Sequence, residues 1–375
     1  MKIVLAPDKF RGSLTALEVC NAMQEGILAA CPAAQVIAIP MADGGEGTAE
    51  ILTHDARGHM VSCNVLDPLG RTMEATFGIS ADCHKAYLEM ASASGLKLLN
   101  ASERNPLKTG TFGTGQLILE AVKLGAKQII LGIGGSATTD GGIGMAAAMG
   151  WHFMDEAGNE LVPIGENLTK INQIIPPSTT PGLDIEVACD VTAPLFGPTG
   201  AAYVYGPQKG ANATAVEILD KGLRHLSSII LRDFGVDLAH VPGTGAAGGL
   251  GFGLLFFLKA TLKEGVKIVM EQTNFEAQLE GVDLVVTGEG KMDEQTLQGK
   301  LIAGIAKAAQ AKEIPVIALC GTLTLTTDEV HSLGLSYARS ILPRPMLLPE
   351  AIEYAYQGVK EASQAVFALL SLFQK

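Results

Sequence analysis

The chain has 375 residues, more than one hydrophobic core ordinarily holds, so its length predicts two domains. A hydrophobic content of 47%, 44 glycines and only 5% aromatics fit an Ala/Gly-rich α/β protein better than an all-β sandwich. With 27 basic against 39 acidic residues the formal charge is −12, and no long basic run or basic–aromatic stripe is present, which argues against a nucleic-acid partner.

The first strand, 2–6, runs into Pro7-Asp8-Lys9. Thr15 and Glu18 have capping-box spacing, and Ala16, Cys20, Met23 and Ile27 then recur at helical spacing. Pro32 lies just past that helix. A second strand, 35–39, runs into Asp43-Gly44-Gly45-Glu46-Gly47 and completes a βαβ unit. Residues 48–52 predict a helix. Between 63 and 88 come short strand-like segments, separated by Asp67-Pro68-Leu69-Gly70 and Ala81-Asp82. A helix over 113–124 precedes a strand over 128–131, which runs into Gly132-Ile133-Gly134-Gly135-Ser136. A short helix, 143–149, follows the turn Asp140-Gly141-Gly142. Residues 163–181, with Pro176-Pro177 inside, read as irregular. Strand 184–188 runs into Cys189-Asp190, and 250–263 reads as an apolar helix.

From 281 the βαβ rhythm returns. Strand 282–287 reaches Gly288-Glu289-Gly290, and a helix follows with Ile302, Ile305 and Ala309 on one face. Strand 316–319 ends at Cys320-Gly321. A final helix from Pro349 places Ile352, Ala355, Val359, Ala362, Val366, Leu370 and Phe373 on its apolar side. Matching rhythm at both ends predicts one domain of 1–64 plus 281–375, with 65–280 inserted.

The six cysteines form no C-x-x-C pair and the seven histidines no H-x-x-x-H pair, so reduced thiols and no zinc site are expected. The N-terminus enters a strand at once, without a signal-peptide h-region. The longest strongly apolar stretch, 250–258, is too short to span a bilayer. A cytoplasmic protein with no membrane partner is the expectation.

Several strands thus end in glycine and an acid. Open α/β sheets bind ligands beyond the carboxyl ends of their strands. Glycine lets backbone N–H groups approach a phosphate, and carboxylates in the same crevice suit Mg²⁺. That is the outline of phosphoryl transfer. A Walker A loop is absent, since Gly290-Lys291 precedes Met292 and Gly299-Lys300 precedes Leu301. Gly243-x-Gly245-x-x-Gly248 has dinucleotide-fingerprint spacing, but Val241-Pro242 is a poor preceding strand. Its glycines either cradle a nucleotide phosphate or serve helix packing. The 132–142 segment offers either an anion nest or a tight turn in which Asp140 caps the helix. Asp8, Asp43, Asp190, Glu289 and Asp293 are each either turn-forming acids or ligands for metal or substrate. Lys9, Arg11 and Lys209 are either solvated charges or holders of a carboxylate or phosphate. No G-x-S-x-G elbow is present, which leaves a serine hydrolase unsupported.

Taken in order, Ala6-Pro7-Asp8-Lys9-Phe10-Arg11-Gly12-Ser13-Leu14, Ala42-Asp43-Gly44-Gly45-Glu46-Gly47-Thr48 and Ile133-Gly134-Gly135-Ser136-Ala137-Thr138 form a distinctive set. Ala188-Cys189-Asp190-Val191-Thr192, Gly206-Pro207-Gln208-Lys209-Gly210-Ala211, Gly245-Ala246-Ala247-Gly248-Gly249 and Thr287-Gly288-Glu289-Gly290-Lys291-Met292-Asp293 extend it. Together they resemble the bacterial type I glycerate kinases over nearly the whole chain. The resemblance implies an α/β fold of two domains, a Rossmann/flavodoxin-like parallel-sheet domain built from both termini and an inserted mixed α/β domain, with the active site in the cleft between them. It implies ATP-dependent phosphorylation of D-glycerate to 2-phosphoglycerate, although many members carry an older 3-phosphoglycerate label. One departure is that many relatives have Ser where this chain has Lys9 and Lys where it has Arg11.

The roles that follow are expectations. Asp190 is the favoured base, with Asp43 as runner-up. Mg²⁺ sits near Asp43, Glu289 or Asp293. Gly134, Gly135, Ser136 and Thr138, with Gly245, Gly248, Gly249 and Glu289, bind nucleotide or phosphate. Lys9, Arg11, Ser13 and Lys209 bind substrate. A homo-oligomer is left open. The rival classes are a nicotinamide oxidoreductase and a non-catalytic sensor of nucleotides or small acids.

Overall fold

The computed structural model describes residues 1–179, 181–298 and 300–372, so Gly299 and Phe373 of the reading above lie outside the described residues. The chain divides into two compact units, one of Met1–Asp43 with Val266–Lys375 and one of Gly44–Gly265. Among the described residues no helix is long and apolar enough to cross a membrane.

Among its described residues the first unit holds a five-stranded sheet in the order Tyr337–Ser340, Val316–Leu323, Leu284–Met292, Lys2–Pro7, Gln35–Ala38. Every neighbouring pair is parallel. Ile3, Val4 and Leu5 are fully buried, as a strand covered on both faces requires. Ile3 aligns with Leu284 and Pro7 with Gly288, so the segments carrying Asp8 and Glu289 emerge side by side.

The helix Ala16–Ala30 begins at the expected capping box. The Thr15 hydroxyl accepts from the Glu18 N–H at 3.2 Å, and the Glu18 carboxylate accepts from the Thr15 N–H at 2.8 Å. Its buried face, with Ala16, Cys20, Met23 and Ile27, packs along the helix Leu348–Ser371. The two backbones come so close at Gly26 that a Cβ there would fall 2.1 Å from the Lys360 carbonyl oxygen. Ala355, Val359, Ala362 and Val366 are buried as the pattern predicts. Ile352 is not: it is 37% exposed, and Leu347 and Leu348 before it are also exposed, so the buried stripe starts at Ala355.

The second unit is built on a six-stranded sheet in the order Thr261–Lys263, Asp184–Ala188, Gln128–Gly132, Lys85–Glu89, Thr72–Ile79, His59–Leu66. The first four strands are parallel and the last two add antiparallel, which makes the sheet mixed. The final hairpin turns at Asp67, whose carboxylate accepts the N–H groups of Leu69 and Arg71 at 2.9 Å each. His59–Leu66 pairs along its whole length with Thr72–Ile79, so this unit begins before residue 65.

Three further differences from the sequence reading have local causes. Within 163–181 the chain forms a 3₁₀ stretch, Gly165–Lys170, and a short strand, Gln173–Ile175, paired with His152–Met154. The apolar helix ends at Phe257 rather than at 263, because Lys259 takes φ +54° and turns the chain into the edge strand Thr261–Lys263. The helix Ala213–Phe234, absent from the sequence reading, is capped by the Asn212 side chain on the Ala215 N–H and closed by Gly235 in the left-handed region.

Candidate active site

In the first unit the strand register brings Asp8 and Glu289 together. The Asp8 N–H donates to the Gly288 carbonyl at 2.8 Å, and its carboxylate accepts from the Lys9 N–H at 2.7 Å. Burial, and after it the charge of Asp43, push the Asp8 carboxyl up to about 6. Burial pushes Glu289 up to about 7, with Asp8 and Asp293 adding to the rise. The Thr296 hydroxyl, donating to Glu289 at 2.7 Å, and the charge of Arg11 work against it. Each acid is thus partly stripped of water and faces another negative group.

Around this pair stand the other sequence-predicted residues of the unit. The Arg11 guanidinium reaches Asp43 at 3.4 Å; Arg11 is 78% exposed, so the pair adds little stability. The Ser13 hydroxyl donates to the Phe10 carbonyl at 3.2 Å and closes the turn after the first strand. Asp293 accepts from the Gln295 N–H at 2.9 Å and pairs with Lys291 at 2.6 Å, which holds its carboxyl low. Among the described residues no three His, Cys, Asp or Glu side chains are arranged to hold a metal ion by themselves. For Mg²⁺ the requirement is looser. Mg²⁺ keeps several waters and is held through one or two carboxylates plus substrate phosphates. Crowded, desolvated acids such as Asp8 and Glu289 are relieved by a cation.

In the second unit the strand Asp184–Ala188 delivers Asp190 to the rim of a groove of ≈ 520 Å³, shared with Thr192, Thr199 and Tyr205. The Gly265 N–H donates to one Asp190 oxygen at 3.0 Å and fixes the carboxylate.

The glycine loop after the strand Gln128–Gly132 divides into an exposed tip and a buried foot. Gly134 and Gly135 are exposed, and Ser136 is nearly buried. A Cβ on Gly134 would meet nothing nearer than 3.9 Å, so packing does not demand glycine there, whereas φ +74° does so at Gly135. Thr138 and Asp140 are fully buried. Asp140 accepts four hydrogen bonds, from the Thr111 N–H (2.8 Å) and hydroxyl (2.7 Å) and from the N–H groups of Gly142 (3.2 Å) and Gly144 (3.1 Å). It therefore caps the helix Ile143–Ala148. Burial raises its carboxyl against those four bonds.

Lys209 departs most from the sequence reading. It is neither a solvated charge nor at a surface where it would grip a ligand. It is 1% exposed, and its ammonium donates to the Thr138 carbonyl at 2.6 Å. Burial pulls its ammonium down to about 7, with the charge of Asp140 opposing. The second glycine loop also takes the packing alternative. A Cβ on Gly245 would fall 2.2 Å from the Pro194 carbonyl oxygen, on Gly248 2.0 Å from that of Thr138, and on Gly249 2.8 Å from the Gly141 Cα. Gly248 and Gly249 thus seat one loop on the other, and Gly245 packs on the 193–194 segment.

One acid at a strand tip is absent from the sequence reading. Glu89, at the tip of Lys85–Glu89, accepts the N–H groups of Gly47 (2.8 Å) and Ala49 (3.1 Å) and caps the helix Thr48–Asp55. The run Tyr87-Leu88-Glu89 carries the same strand-then-acid signal as the others.

The family model described as "Glycerate kinase family" matches residues 3–371. A protein named glycerate kinase from Halalkalibacterium halodurans is 44% identical, covering 100% of this chain and 99% of its own. One named glycerate 2-kinase from Escherichia coli is 44% identical, covering 99% and 98%. A crystal structure described as a candidate glycerate kinase 2 from Salmonella typhimurium LT2 superposes with a TM-score of 0.91 at 41% identity, covering 100% of this chain and 99% of that one.

Proposed function

Because this chain belongs to the glycerate kinase family, we propose that it transfers the γ-phosphoryl group of ATP to the 2-hydroxyl of D-glycerate, in the cytoplasm, releasing ADP and 2-phospho-D-glycerate. The observation that carries this reading is the end-to-end likeness, at 44% identity, to the Escherichia coli protein named glycerate 2-kinase. The position of the new phosphate rests on that name.

Phosphoryl transfer needs positioning, charge neutralisation and an acceptor for the proton of the attacking hydroxyl. Asp190, held by the Gly265 N–H, is the proposed acceptor, with Asp43 as second choice. Arg11, whose planar fork matches a carboxylate, holds glycerate, with Lys9 and Ser13 completing its turn. The N–H groups at Gly134, Gly135 and Ser136 receive phosphate oxygens, Thr138, Gly248 and Gly249 shape that loop from behind, and Gly245 seats the second loop on the 193–194 segment. Asp43 and Glu289, with Asp293 adjoining, would hold Mg²⁺, which neutralises phosphate charge when bound.

A coupled assay with Mg·ATP and D-glycerate should register ADP, and phosphorus NMR should find the phosphate on C2. Phosphate on C3 would overturn the position. Binding of ATP without D-glycerate-dependent ADP would favour the sensor class and overturn the kinase reading.

A further inference from the structure

The exposed tip of the 134–136 loop is held in place from below. The Gly135 carbonyl accepts from the Leu96 N–H at 2.8 Å, and the Ala137 N–H donates to the Ser94 carbonyl at 2.9 Å. The Ala137 carbonyl accepts from the Thr109 hydroxyl at 2.9 Å, and the Thr138 carbonyl accepts from Lys209 at 2.6 Å. Lys209 is the charged member of this set. The hydroxyls of Thr138 and Thr139 are buried and, among the described residues, have no hydrogen-bond partner, so they do not anchor the foot of the loop. On its other side the Thr138 carbonyl lies against Gly248, which has no room for a Cβ.

A neutral donor would make the same bond without burying a charge. Burying an ammonium is costly unless something offsets it. Here the offset is Asp140, itself fully buried and saturated by four donors. When protonated, Lys209 places a positive charge behind a backbone turn, in a dry setting where its field is weakly screened. Preorganised charge aimed at an anion is what a phosphate site requires.

We infer that Lys209 is a positioning residue for the phosphates of the nucleotide: it fixes the foot of the 134–138 loop and adds positive field behind its tip, without touching substrate. This rests on the phosphate-loop assignment proposed above. Binding of ATP therefore raises the proton affinity of Lys209, and protonation of Lys209 strengthens ATP binding, as linkage requires. The charged group that acts on Lys209 is Asp140; across Gly210 the neighbour is the Arg104 backbone, whose carbonyl would lie 2.2 Å from a Cβ there.

The test compares the full chain with Lys209→Met. ATP affinity is measured by calorimetry without glycerate, so the result stands apart from the kinase reading, and KM values for ATP and D-glycerate are measured separately. The variant should bind ATP at least about tenfold more weakly, with the D-glycerate KM within about twofold of wild type. The ratio of wild-type to variant affinity should fall as the pH rises through about 7, because taking the ratio removes the contribution of Glu289, common to both. Wild-type ATP affinity in the variant, a loss confined to the D-glycerate KM, or a loss of thermal stability alone would each overturn the inference. Should Lys209→Met fail to fold, Lys209→Gln, which keeps an N–H donor without the charge, is read by the same criteria.

Discussion

Asp8 and Glu289 hold their protons more tightly in the folded chain than in the unfolded one, because burial and neighbouring acids raise both. The stability this confers is complete at low pH and is lost as the pH rises through about 6 for Asp8 and about 7 for Glu289. Without ligands, Glu289→Gln should therefore be more stable than wild type at about pH 8, by on the order of 2 kcal/mol, and gain little at about pH 5. Thermal denaturation at the two pH values checks this; equal shifts at both would refute it. The same variant should need more Mg²⁺ for activity. Asp190→Asn should lower kcat by roughly 10²–10⁴ while both KM values change little, and a loss below about tenfold in a folded protein would end its assignment as the base. The acids at the strand tips were legible because a strand followed by an acid is a local pattern. The burial of Lys209 was not. Nothing between Gly206 and Gly210 shows that the 134–140 loop folds over them, and an isolated lysine in a glycine-rich turn reads as solvated.

Among the elements, the helix Ala16–Ala30 and its partner Leu348–Ser371 were readable from capping and spacing, since both signals lie within a few residues. What the spacing did not carry is how closely they approach. Gly26→Val should force them apart at the Lys360 carbonyl and cost roughly 1–3 kcal/mol, seen as a lower denaturation midpoint. Gly248→Ala combines strain at φ +70° with a clash on the Thr138 carbonyl. It should weaken ATP binding along with stability, whereas Gly26→Val should leave ATP binding unchanged; calorimetry on the two variants separates these effects. The strand Thr261–Lys263 was read as helix because Leu250 to Leu258 is apolar without period, and such a run does not say where a helix stops. The bend at Lys259 is imposed by pairing with Asp184–Ala188, a partner over seventy residues away.

At the scale of the molecule, the family and the α/β architecture were recoverable because many short motifs recur in one order, although each alone is ambiguous. Saturating Mg·ATP at about 100 times its dissociation constant should raise the stability of the folded chain by about 2.7 kcal/mol, visible as a thermal shift absent with adenosine. The first unit is built from both ends of the chain, and this affects how it is made. Lys2–Pro7 lies in its sheet between Gln35–Ala38, its near neighbour in sequence, and Leu284–Met292, which a ribosome adds only after the whole of Gly44–Gly265. At roughly 5–20 residues per second, the nascent chain carries one bare edge of an apolar strand for tens of seconds. During that interval Ile3, Val4 and Leu5 are open to pairing with another chain, so the speed of synthesis and the supply of chaperones should govern the soluble yield more than the stability of the finished fold does.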